Sequence, residues 1–368
     1  HYIAVYDPLL LRSLNGMGTA QLVGAVRMLA KITRTLSALN TGFNPEFMFT
    51  NFFRDVAQAG LNVTAEQSKK MAAQIVKDTL SMKPLRATFA VLRGNFDASN
   101  EWQVYFKELR DAGGLAGWYY QPDFLEQAVE LEKALKDGSL VKQRFRHLGQ
   151  LIEDSGRAVE NGVRLATYRR AREAGMSVSR AASLARNVTV NFNQQGEWGQ
   201  YINAFYMFYN ASMQGTATLF RVLRHPRARR MVAGLIVSSY LLDAMNRAIG
   251  DDDEYGNSIY ETIPDHLRER NLILMLPNSG GKYVKVPLPY GWNIFHAVGT
   301  VLGGLQNGEK TVGGAINTAA SVAWGAFYPL GSESSLLQAV TPSIADPLVQ
   351  IATNETFYGA PIRPPVMG

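Results

Sequence analysis

Five arginines crowd into ten residues, Arg221, Arg224, Arg227, Arg229 and Arg230, with His225 and Pro226 among them. A guanidinium is planar, permanently charged, and matches a phosphate or carboxylate through two parallel N–H donors. The nearest acid downstream is Asp243, so the five cannot all be neutralised locally and call for phosphates, a partner's carboxylates or water. Duplex DNA touched through its backbone, or lipid headgroups beside the apolar stretches on either side, fits better than base readout. No fingered, zipper or single-strand-binding signature accompanies the cluster. The plain alternative is a basic turn that is solvated or faces acids of a neighbouring subunit.

Other chemistry is thinner. His1, His147, His225, His266 and His296 stand far apart and form no His-x-x-x-His or His-Glu pair, so a zinc-protease pattern is absent. Gly280-Gly281-Lys282 lacks the upstream glycine of a phosphate loop and continues with Tyr283 where Ser or Thr is required, which makes it a turn. Asp251-Asp252-Asp253 begins like a calcium loop, but Thr262 stands where the late Glu belongs, so the run reads as a solvated loop. Neighbouring acids such as Glu130 and Glu132 or Glu153 and Asp154 do not by spacing alone identify an acid/base pair. No Gly-x-Ser-x-Gly elbow occurs, and the expectation is a non-enzymatic chain without cofactor or metal.

At 368 residues and 46% hydrophobic, with no cysteine, the chain is a folded protein or folded piece without disulfides or thiolate metal sites. Its beginning, His1 through Leu10, has no basic segment followed by an apolar one, so it does not read as a signal peptide; a start at His1 suggests a part of a longer polypeptide. Lys and Arg against Asp and Glu number 15 to 14 over residues 1–141, 15 to 5 over 142–230, and 7 to 12 over 231–368. The positive charge therefore sits in the middle, as on a polyanion-facing surface or beside an acidic neighbour. Three regions follow: 1–141 helical, 142–250 basic and helical, and 251–368 helical with a hairpin and an extended tail.

The elements that would carry these residues are helical by period. Thr19 caps a helix with Leu22, Val26, Leu29, Leu36 and Leu39 on one side and Arg27, Lys31 and Arg34 on the other. Thr64-x-x-Gln67 reads as a capping box opening a helix to Leu80, and Pro122 as the first turn of a helix through Leu125, Val129 and Leu135 that Gly138 ends. Helices are expected at roughly 140–154, 157–174 and 179–187, with Gly175 and Ser177 as punctuation. Two long apolar helices follow over 197–249, flanking the arginines. Asn271–Leu276 and Lys282–Pro287 flank a Pro-Asn-Ser-Gly-Gly turn and form the one expected hairpin. Helices return near 292–306, 309–326 and 344–353. The fold class is mainly α: a multi-helix assembly with one small β-hairpin.

Trp198–Phe220, Leu288–Gly308 and Thr311–Ser332 carry no charged residue and approach the length of a membrane span. Gln, Asn, Gly, Ser and Thr interrupt all three, which favours helices buried in an assembly. Gly299, Gly303, Gly304, Gly313 and Gly314 are expected to lie against other helices, because small residues permit close approach.

Several segments resemble a known family. Asn44-Pro45-Glu46-Phe47 followed by Asn51 and Arg54-Asp55, then Asn191-Phe192 with Gln214-Gly215-Thr216, are similar to a large polyvalent protein-associated domain of phage polyproteins and internal virion proteins. So are Ile263-Pro264-Asp265, the block Pro287, Leu288, Pro289, Tyr290, Gly291, and the closing Asn354, Phe357, Gly359 and Pro361. The resemblance runs in order from about residue 40 to the end. It implies a structural role: packaging in the capsid of a short-tailed phage and ejection with the genome to help form a conduit across the host envelope. It further implies assembly with copies of itself or with other core or portal–tail proteins, and non-specific contact with DNA or the host membrane. The alternative it leaves is a module that binds and protects incoming phage DNA in the host cytoplasm. Physically, Asn44 before Pro45 starts a helix, and Pro287-x-Pro289-x-Gly291 forces an extended lead into the next one.

Overall fold

The computed structural model describes residues 44–115, 140–191, 199–206, 209–253, 256–289, 291–327 and 345–354, together with 26, 29, 30, 33, 341, 342, 362 and 363. These are mainly helical, with one two-stranded antiparallel sheet among them. The helices are α1 (Pro45–Glu66), α2 (Lys69–Leu80), α3 (Lys83–Leu92), α4 (Glu101–Asp111), α5 (Leu140–Glu173), α6 (Val178–Arg186) and α7 (Gly199–Phe205). After them come α8 (Tyr209–Leu223), α9 (Pro226–Ile249), α10 (Ile259–Thr262) and α11 (Asp265–Arg270). The hairpin strands are β1 (Asn271–Met275) and β2 (Tyr283–Pro287), and α12 (Asn293–Gln306), α13 (Val312–Phe327) and α14 (Asp346–Thr353) close the described order.

The first core joins α1 to α6. Phe52, Val56, Ala59 and Val63 of α1, Ile75 of α2, Leu85 of α3, Phe106 and Leu109 of α4, Leu165 and Tyr168 of α5 and Ala181 and Ala185 of α6 bury together. Each set recurs at three- and four-residue spacing, so each helix offers one apolar stripe inward. The long α5 is the spine. A Cβ on its Gly162 would lie 2.7 Å from Leu85 Cγ, so α3 rests on α5 at a distance only glycine allows.

Around this core the basic surplus of the middle region is partly spent inside the chain. Arg170 pairs in two-point fashion with Asp78 at 2.6 and 2.9 Å, Arg169 with Glu101 at 2.9 Å, and Arg172 with Glu108 at 3.2 Å. The acids come from α2 and α4, and Arg169 also lies 4.3 Å over the Trp102 ring. The neighbour that absorbs these arginines is the acid-bearing region 1–141 of the same chain.

Several expectations needed correction. Thr64 does not open α2: it sits inside α1, its hydroxyl donating to the Gly60 carbonyl at 2.6 Å. The cap is Ser68, whose Oγ accepts from Met71 N, and the helix ends at Leu80 as expected. No break separates 154 from 157; α5 runs through, because the Ser155 hydroxyl bonds back to Leu151 O at 2.7 Å and leaves the ladder intact. Residues 199–249 form three helices, not two, since the Asn203 carboxamide accepts the Asn210 amide at 3.1 Å and starts α8 afresh. Gly175, with φ of 83°, and the cap Ser177 separate α5 from α6 as expected. Of the first amphipathic helix only Val26, Leu29, Ala30 and Thr33 are described, all helical, with Thr33 Oγ1 donating to Ala204 O at 2.8 Å. The Pro122 helix lies outside the described residues.

The charge-free stretches fold as α7 and α8, α12, and α13, and among the described residues no helix is long and apolar enough to cross a membrane. Their glycines divide. Gly299 of α12 packs on α9 so closely that a Cβ would lie 2.7 Å from Ser239 Cβ, 2.9 Å from Tyr240 N and against Ile236 O; Gly303 meets the Asp243 carboxylate in the same way. Gly313 and Gly314 of α13 are instead exposed, contrary to the expectation. Gly299→Ala should therefore cost about 2–3 kcal/mol, because backbone blocks the new methyl. Gly313→Ala, with nothing within 4 Å, should be neutral or stabilising by up to about 1 kcal/mol. Thermal unfolding of both variants checks the contrast, and equal effects would contradict the close α9–α12 contact.

Candidate polyanion-binding surface

The arginines sit where α8 turns into α9. A second core fixes that turn: Leu219 and Val222 of α8, Ala228 of α9, Trp292, and Ala65 of α1 bury together, with Leu61, Val232, Leu235 and Phe295 packed around them. His225 is the N-cap in extended conformation and Pro226 the first helical residue, which suits a proline's fixed φ and missing N–H. No side chain caps this end, so free N–H groups and the positive end of the helix dipole lie among the guanidiniums.

The five arginines play two roles. Arg221 donates to Glu66 at 3.2 Å and to Asn187 O at 3.1 Å, and Arg227 donates to Gln67 O at 2.6 Å. Both therefore tie the turn to the C-terminal end of α1, where carbonyls are left over. Arg224, Arg229 and Arg230 are exposed, and their side chains have no hydrogen bond or ion pair among the described residues. Asp243 is not available to any of them, being buried elsewhere. The geometry thus presents three unpaired guanidiniums on a rigid two-helix turn, with Arg227 exposed beside them.

The motif residues form a scaffold beside this surface. Asn44 Oδ1 accepts Phe47 N at 3.2 Å ahead of Pro45, the first residue of α1. One and a half to three turns on, Asn51 Nδ2 donates to Asp55 Oδ2 at 3.4 Å. Arg164 of α5, almost wholly buried, donates to Val190 O at 2.9 Å, and Asn191 donates to Asn187 at 3.1 Å. Burial pushes the Asp55 carboxyl up to about 6, against the attraction of Arg164 and Arg54. Arg164 thus links Asp55 to the lead-in to Asn191; Phe192 lies outside the described residues. Gln214 and Gly215 lie on α8, whose Leu219 packs on Gly291: with φ of 77°, a Cβ there would lie 2.6 Å from Leu219 Cδ2. Pro287 ends β2 opposite Asn271, and Pro289 O accepts Trp292 N at 3.1 Å. Asn354, with φ of 56°, clamps Arg363 through Oδ1 at 2.8 Å and Nδ2 at 3.0 Å; Phe357, Gly359 and Pro361 lie outside the described residues.

The Asp55 shift has a pH consequence. Its folded pKa lies above the unfolded one, so the contribution is fully present below about pH 4 and is lost as pH rises through about 6. The change is at most about 3 kcal/mol for roughly two pK units. Urea unfolding of the parent and Asp55→Asn at pH 4.5 and 7.5 checks it: the variant should gain on the parent at the higher pH, and a constant difference would contradict the shift.

A second polar cluster was not anticipated. Ser239, Asp243 and Asn246 are buried at helical spacing on α9, an apolar helix that turns its polar residues inward. Asp243 accepts from Arg247 Nε at 2.9 Å and from the Tyr260 hydroxyl at 2.9 Å. Arg247 continues to Glu261 and Glu309, and Arg268 joins Glu309 at 2.8 Å to Asp265 at 2.6 Å. Both guanidiniums flank the Tyr260 ring, at 5.5 and 5.4 Å. His296 lies 2.8 Å from Ser239 Oγ and 2.8 Å from Arg268 O; the carbonyl can only accept, so Nε2 carries the proton and Ser239 donates to Nδ1. Both side chains are buried and the ring's partner is a carbonyl rather than a carboxylate, so the pair fastens α9 to α12. Burial holds the His296 pKa below its ordinary value. Asn246 clamps β1, donating to Ile273 O at 2.8 Å and accepting Met275 N at 3.0 Å. The expected hairpin forms over the expected residues, and the Asp251 carboxylate accepts the amides of Asn278, Ser279 and Gly281 at 2.9 Å each, which holds its pKa low. The i, i+4, i+7 recurrence of Ser239, Asp243 and Asn246 was the sequence signal for this cluster.

No curated protein and no solved structure matches the chain. Residues 257–368 match the model of the family described as large polyvalent protein associated domain 38. The match takes in the hairpin, the Pro287-to-Gly291 block and Asn354, while the motifs at 44–55 and 191–216 lie outside it. The C-terminal part of this chain, which packs under the arginine turn through Trp292, is thus similar to a domain associated with large polyvalent proteins.

Proposed function

We propose that this chain binds duplex DNA through its phosphate backbone, without reading sequence, as a structural internal protein of a short-tailed phage virion that is ejected with the genome. The observation that carries the binding claim is the exposure of Arg224, Arg229 and Arg230 on a turn braced by Arg221 and Arg227, with no acid paired to the three among the described residues. Phosphate contacts of this kind position a protein on the duplex but carry no sequence information. The similarity of residues 257–368 to a polyvalent-protein domain supports the phage setting. In this reading the chain assembles with copies of itself and with core or portal–tail proteins, and travels from the virion to the host envelope.

The same match favours one other reading, a polyvalent-protein module that binds and protects incoming phage DNA in the host cytoplasm. Location separates the two: several copies in purified virions support the ejected protein, and absence from virions supports the cytoplasmic module. For the shared binding claim, fluorescence anisotropy with duplexes of equal length and unrelated sequence should give equal affinities. A strong preference for one sequence would overturn backbone binding.

A further inference from the structure

We infer that the outward face of α9 docks a second copy of this chain, antiparallel, across a two-fold axis at Leu241. The inference rests on the self-assembly in the reading above, for which it names the interface, and shares only Arg230 with the DNA binding. α9 buries Ala228, Ser239, Asp243 and Asn246 and turns Val237, Leu241 and Met245 outward, at 57%, 58% and 42% exposure. With Gly234 and Ala248, also exposed, these residues recur at spacings of three and four and form one apolar stripe. An apolar stripe left in water while polar residues fill the inner face is what an interface looks like before its partner arrives.

Charge identifies the partner. Arg230 stands at the start of the stripe, one turn before Gly234, exposed and without an ion pair among the described residues. Just past the helix, Asp252 is likewise exposed and its carboxylate has no partner among the described residues. The helix is 24 residues long, about 36 Å, with a cation at one end of its outer face and an anion beyond the other. Such a face is complementary to itself when reversed, as a two-fold interface requires. With the axis at Leu241, antiparallel register sets Val237 against Met245 of the second copy and Gly234 against Ala248, and it brings the Arg230 end of each helix toward the end of the other, which the chain leaves at Gly250 to reach Asp252. An anionic membrane would be attracted at the arginine end and repelled at the aspartate end, so the second copy is the occupant the charges favour.

The test is sedimentation of the chain in nucleic-acid-free buffer over a range of concentrations. The parent should show a monomer–dimer equilibrium; Arg230→Asp and Asp252→Arg should each weaken it about tenfold or more, because each sets like charges together twice per dimer. The double variant should restore association, and Leu241→Lys should abolish it. Both side chains are exposed and bond to nothing among the described residues, so the reversals leave the fold standing. A parent that stays monomeric throughout, single reversals without effect, or a double variant as weak as the singles would overturn the inference. So would flotation with phosphatidylglycerol vesicles that Asp252→Arg strengthens in the absence of any dimer. The double variant regains the dimer without regaining a duplex contact at position 230, so failure here and failure of DNA binding are told apart.

Discussion

Asp243→Ala should lower the stability of the chain by about 3 kcal/mol or more, the range for removing one partner of a buried ion pair. The carboxylate is 1% exposed and holds both Arg247 and the Tyr260 hydroxyl. Without it, Arg247 keeps Glu261 and Glu309, but the Tyr260 hydroxyl is left in a buried site with no acceptor. A void also opens beside Gly303, whose missing side chain leaves room for that carboxylate. Tyr260→Phe removes one hydrogen bond and should cost only about 1 kcal/mol. Urea unfolding of the two variants measures both. A loss below about 1 kcal/mol for Asp243→Ala would mean that the network does not fasten α9 to α10.

The second large effect concerns the arginines. Replacing Arg224, Arg229 and Arg230 together with Gln should weaken binding to random duplex by about 10²–10³-fold near 0.1 M salt, since each phosphate contact releases close to one counterion. The choice of three matters. Arg221 and Arg227 also brace the turn against α1, so their removal would mix a folding defect with a binding one. The side chains of the chosen three hold nothing among the described residues, so the variant should unfold at the parent's temperature while losing DNA.

Much of the fold was legible in the sequence because its signals are local. The hairpin announced itself by Pro277-Asn278-Ser279-Gly280-Gly281, where Asn278, Gly280 and Gly281 all take positive φ. The helices near 292–306 and 344–353 followed from period and flanking breakers, and form over Asn293–Gln306 and Asp346–Thr353. Misreadings came where one residue type serves two ends. Thr64 looked like a cap, but a threonine inside a helix satisfies its hydroxyl on the carbonyl four residues back. The expected division of 140–154 from 157–174 fails in the same way, since the Ser155 hydroxyl bonds back to Leu151 O within one continuous helix. The sharp break between α2 and α3 carries no glycine: Met82 takes φ of 61°, which no local pattern announces.

The site was legible as a cluster but not as a division of labour. Arg221 finds its acid, Glu66, 155 positions away, a distance that no reading of local spacing bridges. The inward polar stripe of α9 was readable at its spacing, yet the helix as a whole reads as apolar, and only tertiary packing reveals which side faces in.

The most direct test of DNA-backbone binding is the salt dependence of affinity for a random duplex, measured for the parent and for the Arg224→Gln, Arg229→Gln, Arg230→Gln variant. The parent should show a steep linear fall of log affinity with log salt, and the variant a slope shallower by about 2.7, close to 0.9 for each lost contact. Identical slopes and affinities for the two proteins at every salt concentration would contradict the assignment and return the arginines to contact with a neighbouring subunit.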